Sequence, residues 1–129
     1  MMKVFLPEAL FPTKHNTEKL IKKLCGKNYF VFTNNELIME HYHWLLKGFN
    51  NMAMAYHKII MFQEYEIKKL QGKCIFLCGE VDPLGDAKKA KEKFERYGIE
   101  YRIIPEVGHG INHEVSDEIN NIILEYFDV

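Results

Sequence analysis

Apolar residues in the first half of the chain recur at spacings of three and four, which is the period of an α-helix. One such stripe precedes Gly26, a residue suited to a left-handed helix end, and Asn16 or Thr17 can cap its first turn. Its members are Leu20, Ile21 and Leu24. Two further stripes predict a helix over residues 36–47 and another from residue 52 toward residue 70.

A short strand is expected before these helices. The apolar run over residues 3–6 ends at Pro7, which suits a strand followed by a loop. The helical segment that follows spans residues 13–71 and is rich in methionine and aromatic side chains. Gly72 ends it.

The pattern changes after Gly72. Residues 74–78 are continuously apolar and bounded by glycine, as strands buried on both faces of a parallel sheet are. The remaining pattern predicts a helix over 87–97 that Asp86 caps and Gly98 ends, a strand over 100–104, a loop over 105–114 and a final helix that Ser116 caps.

An order of strand, helix, strand, helix is typical of α/β proteins, because parallel strands need a crossover between them. We therefore predict a small parallel sheet of about three strands with flanking helices. The helical segment 13–71 precedes the strand-helix-strand-helix portion, which spans residues 73–129. The chain of 129 residues forms a single domain, 1–129, because its length is enough for one core of ordinary size.

Composition and charge limit the kinds of partner and the cellular location that the sequence predicts. The chain has 17 Lys and Arg residues against 18 Asp and Glu, so the near-neutral balance does not favour nucleic acid. No apolar stretch reaches the length of about 18 to 20 residues that a membrane span needs. The first residues carry a charge and a proline in place of a secretory signal, and the three cysteines suit reduced core residues. We expect a cytoplasmic protein.

Two loops that follow strands carry candidate chemistry. Asp82 follows the strand at 74–78, and His109 follows the strand at 100–104. The carboxyl ends of neighbouring parallel strands lie at one edge of a sheet, so the two side chains are expected to meet. A carboxylate that accepts from one imidazole nitrogen fixes the tautomer and leaves the other nitrogen to act as a general base.

These loops resemble the C-terminal portion of the α/β-hydrolase superfamily. The resemblance rests on Gly79-Glu80-x-Asp82-Pro83 after an apolar strand and on Gly108-His109-Gly110, with His109 27 positions after Asp82. It implies that Asp82 is the acid and His109 the base of a site that acts on carboxylic ester or related acyl bonds. By the same resemblance, residues 13–71 are the cap and residues 3–6 the preceding strand. No cofactor is implied.

The nucleophile half of that superfamily is missing from the chain. There is no Gly-x-Ser-x-Gly elbow, and Ser116, the only serine, follows His109 and suits a helix cap. We therefore expect either a homodimer or a complementary chain to complete the protein, with a small acyl or ester substrate. A truncated coding region is the remaining explanation for the missing half.

Other interpretations stay open at this point. Asp82 also suits a turn before Pro83, and His109 also suits a tight loop with no chemical role. A metal site made by His109, His113 and Glu114 is disfavoured, because glycines flank His109 and His-x-x-x-His ligands need one helix. A non-catalytic binding or oligomerisation module derived from a hydrolase is the alternative function.

Overall fold

The computed structural model describes residues 5, 8–49, 56 and 60–127. Its first part is helical, as predicted. The helices are α1 (Lys14–Leu24), α2 (Phe30–Thr33), α3 (Glu36–Gly48) and α4 (Glu64–Lys68). The predicted helix over 36–47 is confirmed as α3. The helix predicted from residue 52 toward residue 70 is only partly confirmed, because residues 60–63 are not helical and α4 covers residues 64–68 alone. Residues 52–55 and 57–59 of that prediction lie outside the described residues.

The second part is a mixed α/β unit, also as predicted. Its elements are β1 (Ile75–Gly79), α5 (Ala87–Tyr97), β2 (Glu100–Ile104), α6 (Ile111–Glu114) and α7 (Ser116–Phe127). β1 and β2 pair in parallel, with Ile75 opposite Glu100 and Gly79 opposite Ile104. The loop predicted over 105–114 is therefore too long, because its last four residues form the single turn α6.

The described residues contain two strands, whereas about three were predicted. The strand expected over 3–6 lies outside the described residues apart from Phe5. The Phe5 carbonyl accepts a hydrogen bond from the Ala9 amide at 2.9 Å, which is the i to i+4 pattern of a helical turn. An extended backbone is therefore not found at this position.

The predicted helix ends are confirmed for α5, whereas the predicted cap of α1 is wrong. Asp86 caps α5 by accepting from the Lys89 amide, and Gly98 ends that helix in the left-handed conformation at φ 62°. The cap of α1 is Thr13, not Asn16 or Thr17: its hydroxyl accepts from the Asn16 amide at 3.1 Å. The Thr17 hydroxyl instead donates to the Thr13 carbonyl at 2.9 Å.

The sheet is covered on both faces. On one face the Phe94 ring of α5 stacks on Phe76 and Tyr101, with centroid distances of 4.8 and 5.6 Å. On the other, a buried cluster joins β2 to α7 and consists of Ile104, Val107 and Ile119, with Leu77, Ile111, Val115 and Ile122 packed against it. The carboxyl ends of both strands are thereby held in fixed register.

Helices α1, α2 and α3 pack on one another, and they meet the rest of the protein through Phe32 and the α1–α2 connection. Phe32 is almost fully buried and contacts the rings of Tyr42 and His113 at centroid distances of 5.6 and 5.0 Å. Since His113 lies in α6, this contact brings the helical part beside the segment that follows β2.

Many large apolar side chains remain exposed. The accessible surface is 9590 Å², against about 7,100 Å² expected for a compact chain of 15.3 kDa. Helix α3 illustrates this, because apolar residues lie on its outer side as well as its inner side: Leu37, Trp44 and Leu45 are all more than half exposed. No helix among the described residues combines the length and apolarity needed to cross a membrane.

Candidate functional site

Asp82 lies in the loop of residues 80–86 between β1 and α5, which we call the acid loop. One carboxylate oxygen, Oδ1, accepts a hydrogen bond from the Leu84 amide at 2.8 Å. The Gly85 amide donates to the Asp82 carbonyl at 3.3 Å. These bonds form a turn around the carboxylate. The contact made by Oδ1 therefore fits the interpretation of Asp82 as a turn residue. The second oxygen, Oδ2, is left to face the neighbouring loop.

His109 lies in the loop of residues 105–110 between β2 and α6, which we call the histidine loop. Its ring nitrogen Nδ1 is 2.9 Å from Asp82 Oδ2. The His109 side chain is 52% exposed and that of Asp82 is 23% exposed. The structure therefore brings together the two residues that the sequence predicts to meet, and it leaves the imidazole accessible to a reactant.

Several backbone bonds hold the two loops against each other. The Val81 amide donates to the Val107 carbonyl at 3.0 Å, and the Glu106 amide donates to Glu80 Oε2 at the same distance. The His109 amide donates to the Leu24 carbonyl at 2.7 Å, which ties the histidine loop to the end of α1. The backbone of His109 is thus fixed from the sheet side and from the helical side.

Glycines make this close approach possible. A Cβ atom on Gly79 would overlap the carbonyls of Val107 and Gly108, and one on Gly108 would overlap the backbone of Leu24 and Cys25. Neither residue has a positive φ. Glycine is therefore needed at both positions because another backbone segment lies too close for a Cβ atom, not because the backbone is left-handed. Gly26 follows the same rule, because its Cβ would overlap the Glu106 carbonyl.

Cys25 and Cys78 lie near the Asp82–His109 pair, and neither thiol is a ready nucleophile. Burial, and then the negative charge of Glu114 and its hydrogen bond with the thiol, raise the pKa of Cys25 to about 12. Burial, and then the charge of Asp82, also raise the pKa of the Cys78 thiol. A nucleophilic cysteine needs a lowered pKa, so both thiols are protonated at neutral pH.

Asp82 also borders an open groove of about 920 Å³ between α5 and the sheet. Its lining carries both signs of charge: the carboxylates of Glu80, Asp82 and Asp86 and the cations Lys88, Lys91 and Arg102. A groove of this kind does not select a strongly charged ligand of either sign. Its lining includes Asp82 but not His109.

Neither His113 nor His43 contacts Asp82 or His109 through a hydrogen bond. The His113 ring packs against Phe32, and His43 Nδ1 lies 3.2 Å from the Thr17 hydroxyl. Across residues 8–49 and 60–127, no group of three or more His, Cys, Asp or Glu side chains is placed to hold a metal ion.

Sequence reasoning missed the role of Glu114. The sequence suggests Glu114 only as a candidate metal ligand beside His109 and His113. In the structure its carboxylate is buried and accepts from the amides of Gly26 and Gly108 at 2.7 and 3.0 Å. The contact with Gly26 joins residues 88 positions apart, so no local pattern could have revealed it.

Comparison with known proteins gives no relative. No protein-family model, curated protein or solved structure matches the chain.

Proposed function

We propose that the chain is an α/β-hydrolase-like protein in which Asp82 and His109 serve as the acid and base of a site for carboxylic ester or related acyl bonds. The observation that carries the proposal is the 2.9 Å contact between Asp82 Oδ2 and His109 Nδ1 at the carboxyl ends of two parallel strands. This is the arrangement that orients a histidine for general-base work.

The chemistry follows from the tautomer that this contact favours. With its proton on Nδ1 and donated to Asp82, the neutral imidazole presents a free lone pair on Nε2. Nε2 removes the proton of a hydroxyl group as the hydroxyl oxygen attacks the acyl carbon. The imidazolium then returns that proton to the leaving alcohol oxygen when the tetrahedral intermediate collapses. Asp82 stays ionised throughout and stabilises the imidazolium.

The attacking hydroxyl comes from outside the chain in this proposal, either from water or from a second polypeptide. The sequence has no elbow serine, and the raised pKa of Cys25 argues against a thiol substitute. A second polypeptide that supplies the hydroxyl would be a complementary chain, because another copy of this chain has no elbow serine either; a homodimer would use water. The accessible surface, larger than a compact chain of this mass needs, supports such an association.

We place this activity in the cytoplasm. The support is that all three cysteines, Cys25, Cys74 and Cys78, are unpaired thiols, as expected where disulfides are kept reduced.

Hydrolysis of short and medium p-nitrophenyl esters by the purified chain tests the proposal. The His109→Ala variant should lose hydrolysis by about 10²-fold or more, the usual contribution of a positioned general base. His15→Ala is the matched control, because His15 is exposed on α1 and any accessible imidazole hydrolyses activated esters slowly. Equal rates in wild type and His109→Ala would refute the proposed activity.

A non-catalytic binding or oligomerisation module is the second candidate. It is favoured by the exposed apolar side chains of α3, where Leu37 is 77% and Trp44 60% exposed. Under this alternative, hydrolysis does not depend on His109 while self-association persists.

A further inference from the structure

We propose that Glu114 is a positioning residue for the Asp82–His109 pair, because its buried carboxylate binds the backbone on both sides of the contact between the histidine loop and α1. The proposal concerns the position of the His109 ring. Only its link to hydrolysis rests on the function proposed above.

Both oxygens of the carboxylate accept backbone hydrogen bonds. Oε1 accepts from the Gly108 amide at 3.0 Å, directly before His109, and Oε2 accepts from the Gly26 amide at 2.7 Å. The Glu114 backbone carbonyl also accepts from the Asn28 side-chain amide at 3.0 Å. One residue therefore binds the histidine loop and the α1–α2 connection at the same time.

Glu114 is only 4% exposed, so its charge is held away from water. A carboxylate in such a place is tolerated when donors compensate it, and two backbone amides supply that compensation here. An apolar residue at position 114 would leave both amides without this acceptor.

The geometry explains why His109 needs such support. Its ring is half exposed, so packing on the ring itself does little to fix it. Its orientation therefore depends on the backbone of Gly108 and His109, which is held by the Glu114 carboxylate and the Leu24 carbonyl. Releasing Gly108 would let the histidine loop move away from Asp82.

Two-bond proton–nitrogen NMR spectra of the His109 ring give the test, since they distinguish Nδ1–H from Nε2–H without requiring activity. Glu114→Gln keeps the shape but turns an amide NH₂ toward one of the backbone donors. We expect the population in which Nδ1–H is bonded to Asp82 to fall by about tenfold in the folded variant, as for loss of one charge-assisted hydrogen bond.

Glu106→Gln is the matched control. It makes the same chemical change in the histidine loop itself, but Glu106 is exposed and pairs with Lys27 at the surface. Its His109 ring signals should match those of wild type. A folded Glu114→Gln variant with wild-type ring signals would overturn the proposal, because a purely structural residue would change thermal stability without moving the ring.

If Glu114→Gln does not fold, Glu114→Asp and the wild-type chain supply the answer. The shorter Asp carboxylate cannot reach both amides. In the wild-type chain, the Gly26 and Gly108 amides should exchange with solvent deuterium as slowly as the core amide of Ile104. Fast exchange of both amides would overturn the proposal. Ester hydrolysis measured on the same samples separates the two ideas: absence of His109-dependent hydrolysis refutes the proposed function, whereas unchanged ring signals refute the role of Glu114.

Discussion

Asp82 Oδ2 lies 2.9 Å from His109 Nδ1, although the two residues are 27 positions apart in the chain. The parallel pairing of β1 with β2 accounts for this contact, because it brings Gly79 opposite Ile104 and so starts both loops at one sheet edge. The acid loop and the histidine loop then each need only a few residues to bring Asp82 and His109 together. The pair is therefore a consequence of the topology and of the backbone contacts between the loops.

Replacing Asp82 with asparagine should disturb both the tautomer and any hydrolysis. The asparagine side chain is neutral, so it no longer stabilises an imidazolium, and its NH₂ group can bind the ring in the wrong tautomer. We expect His109-dependent hydrolysis to fall by about 10²-fold or more. Rates with p-nitrophenyl esters and the His109 ring nitrogen shifts measure the two effects.

The matched control for that substitution is Asp86→Asn. Asp86 lies in the same acid loop, but its carboxylate caps α5, where the backbone hydrogen bond from Lys89 lowers its pKa. Asparagine is also a good helix cap, so stability and hydrolysis should change little. Equal losses in both variants would show that general disturbance of the acid loop, not the Asp82 carboxylate, causes the effect.

Gly26→Ala should destabilise the fold, because the new Cβ would overlap the Glu106 carbonyl. Overpacking of this kind costs about 1–3 kcal/mol of unfolding free energy. Gly48→Ala is the contrasting change: no atom lies within 4 Å of its Cβ position, and Gly48 is helical. It should stabilise the protein by about 0.5 kcal/mol. Urea denaturation measures both, and a neutral Gly26→Ala would contradict the close approach described here.

The difference between these glycines shows how far the sequence could predict the structure. Asp86 and Gly98 mark helix ends through contacts within one turn, and the apolar runs at β1 and β2 predict strands from local composition, so these elements are found close to their expected bounds. Gly26 is different. Its position after α1 suggests a left-handed helix end, whereas its actual requirement comes from a carbonyl 80 positions away.

Glu114 shows the same limit at the site. Asp82 and His109 could be paired from the sequence, because the order of strands and loops predicts which residues reach one sheet edge. The buried Glu114 carboxylate depends on how the helical part meets the histidine loop, and that contact leaves no periodic pattern. The α1 cap was misassigned for a simpler reason: Thr13, Asn16 and Thr17 are all chemically suitable caps.

Cys25 should react slowly in the folded protein. Its pKa is raised from an ordinary 9.0 to about 12, so alkylation by iodoacetamide at about pH 8 should be at least 10²-fold slower than in the unfolded chain. Because the folded state holds this proton more tightly, the thiol stabilises the fold fully below about pH 9, and that contribution is lost as pH rises toward about 12. Peptide mapping by mass spectrometry measures the rate, and rapid labelling of Cys25 under native conditions would contradict the prediction.

Self-association should bury the outer side of α3. This side exposes Leu37, Trp44 and Leu45, and the sequence of α3 mixes acidic and basic residues, so two copies can pack together without strong like-charge repulsion. The chain exposes about 2,500 Å² more surface than a compact chain of its mass, which exceeds the roughly 800 Å² per partner of a standard interface.

Sedimentation velocity over a wide concentration range measures the association, and the single tryptophan supplies an internal probe. Trp44 is 60% exposed, so its emission should shift to shorter wavelength as the dimer forms. Leu45→Glu should weaken the dimer by placing like charges across the two-fold axis, whereas Asn120→Glu adds the same charge on an exposed site of α7 and should not. A wild-type chain that stays monomeric with unshifted emission would exclude the homodimer and favour a complementary chain as the partner.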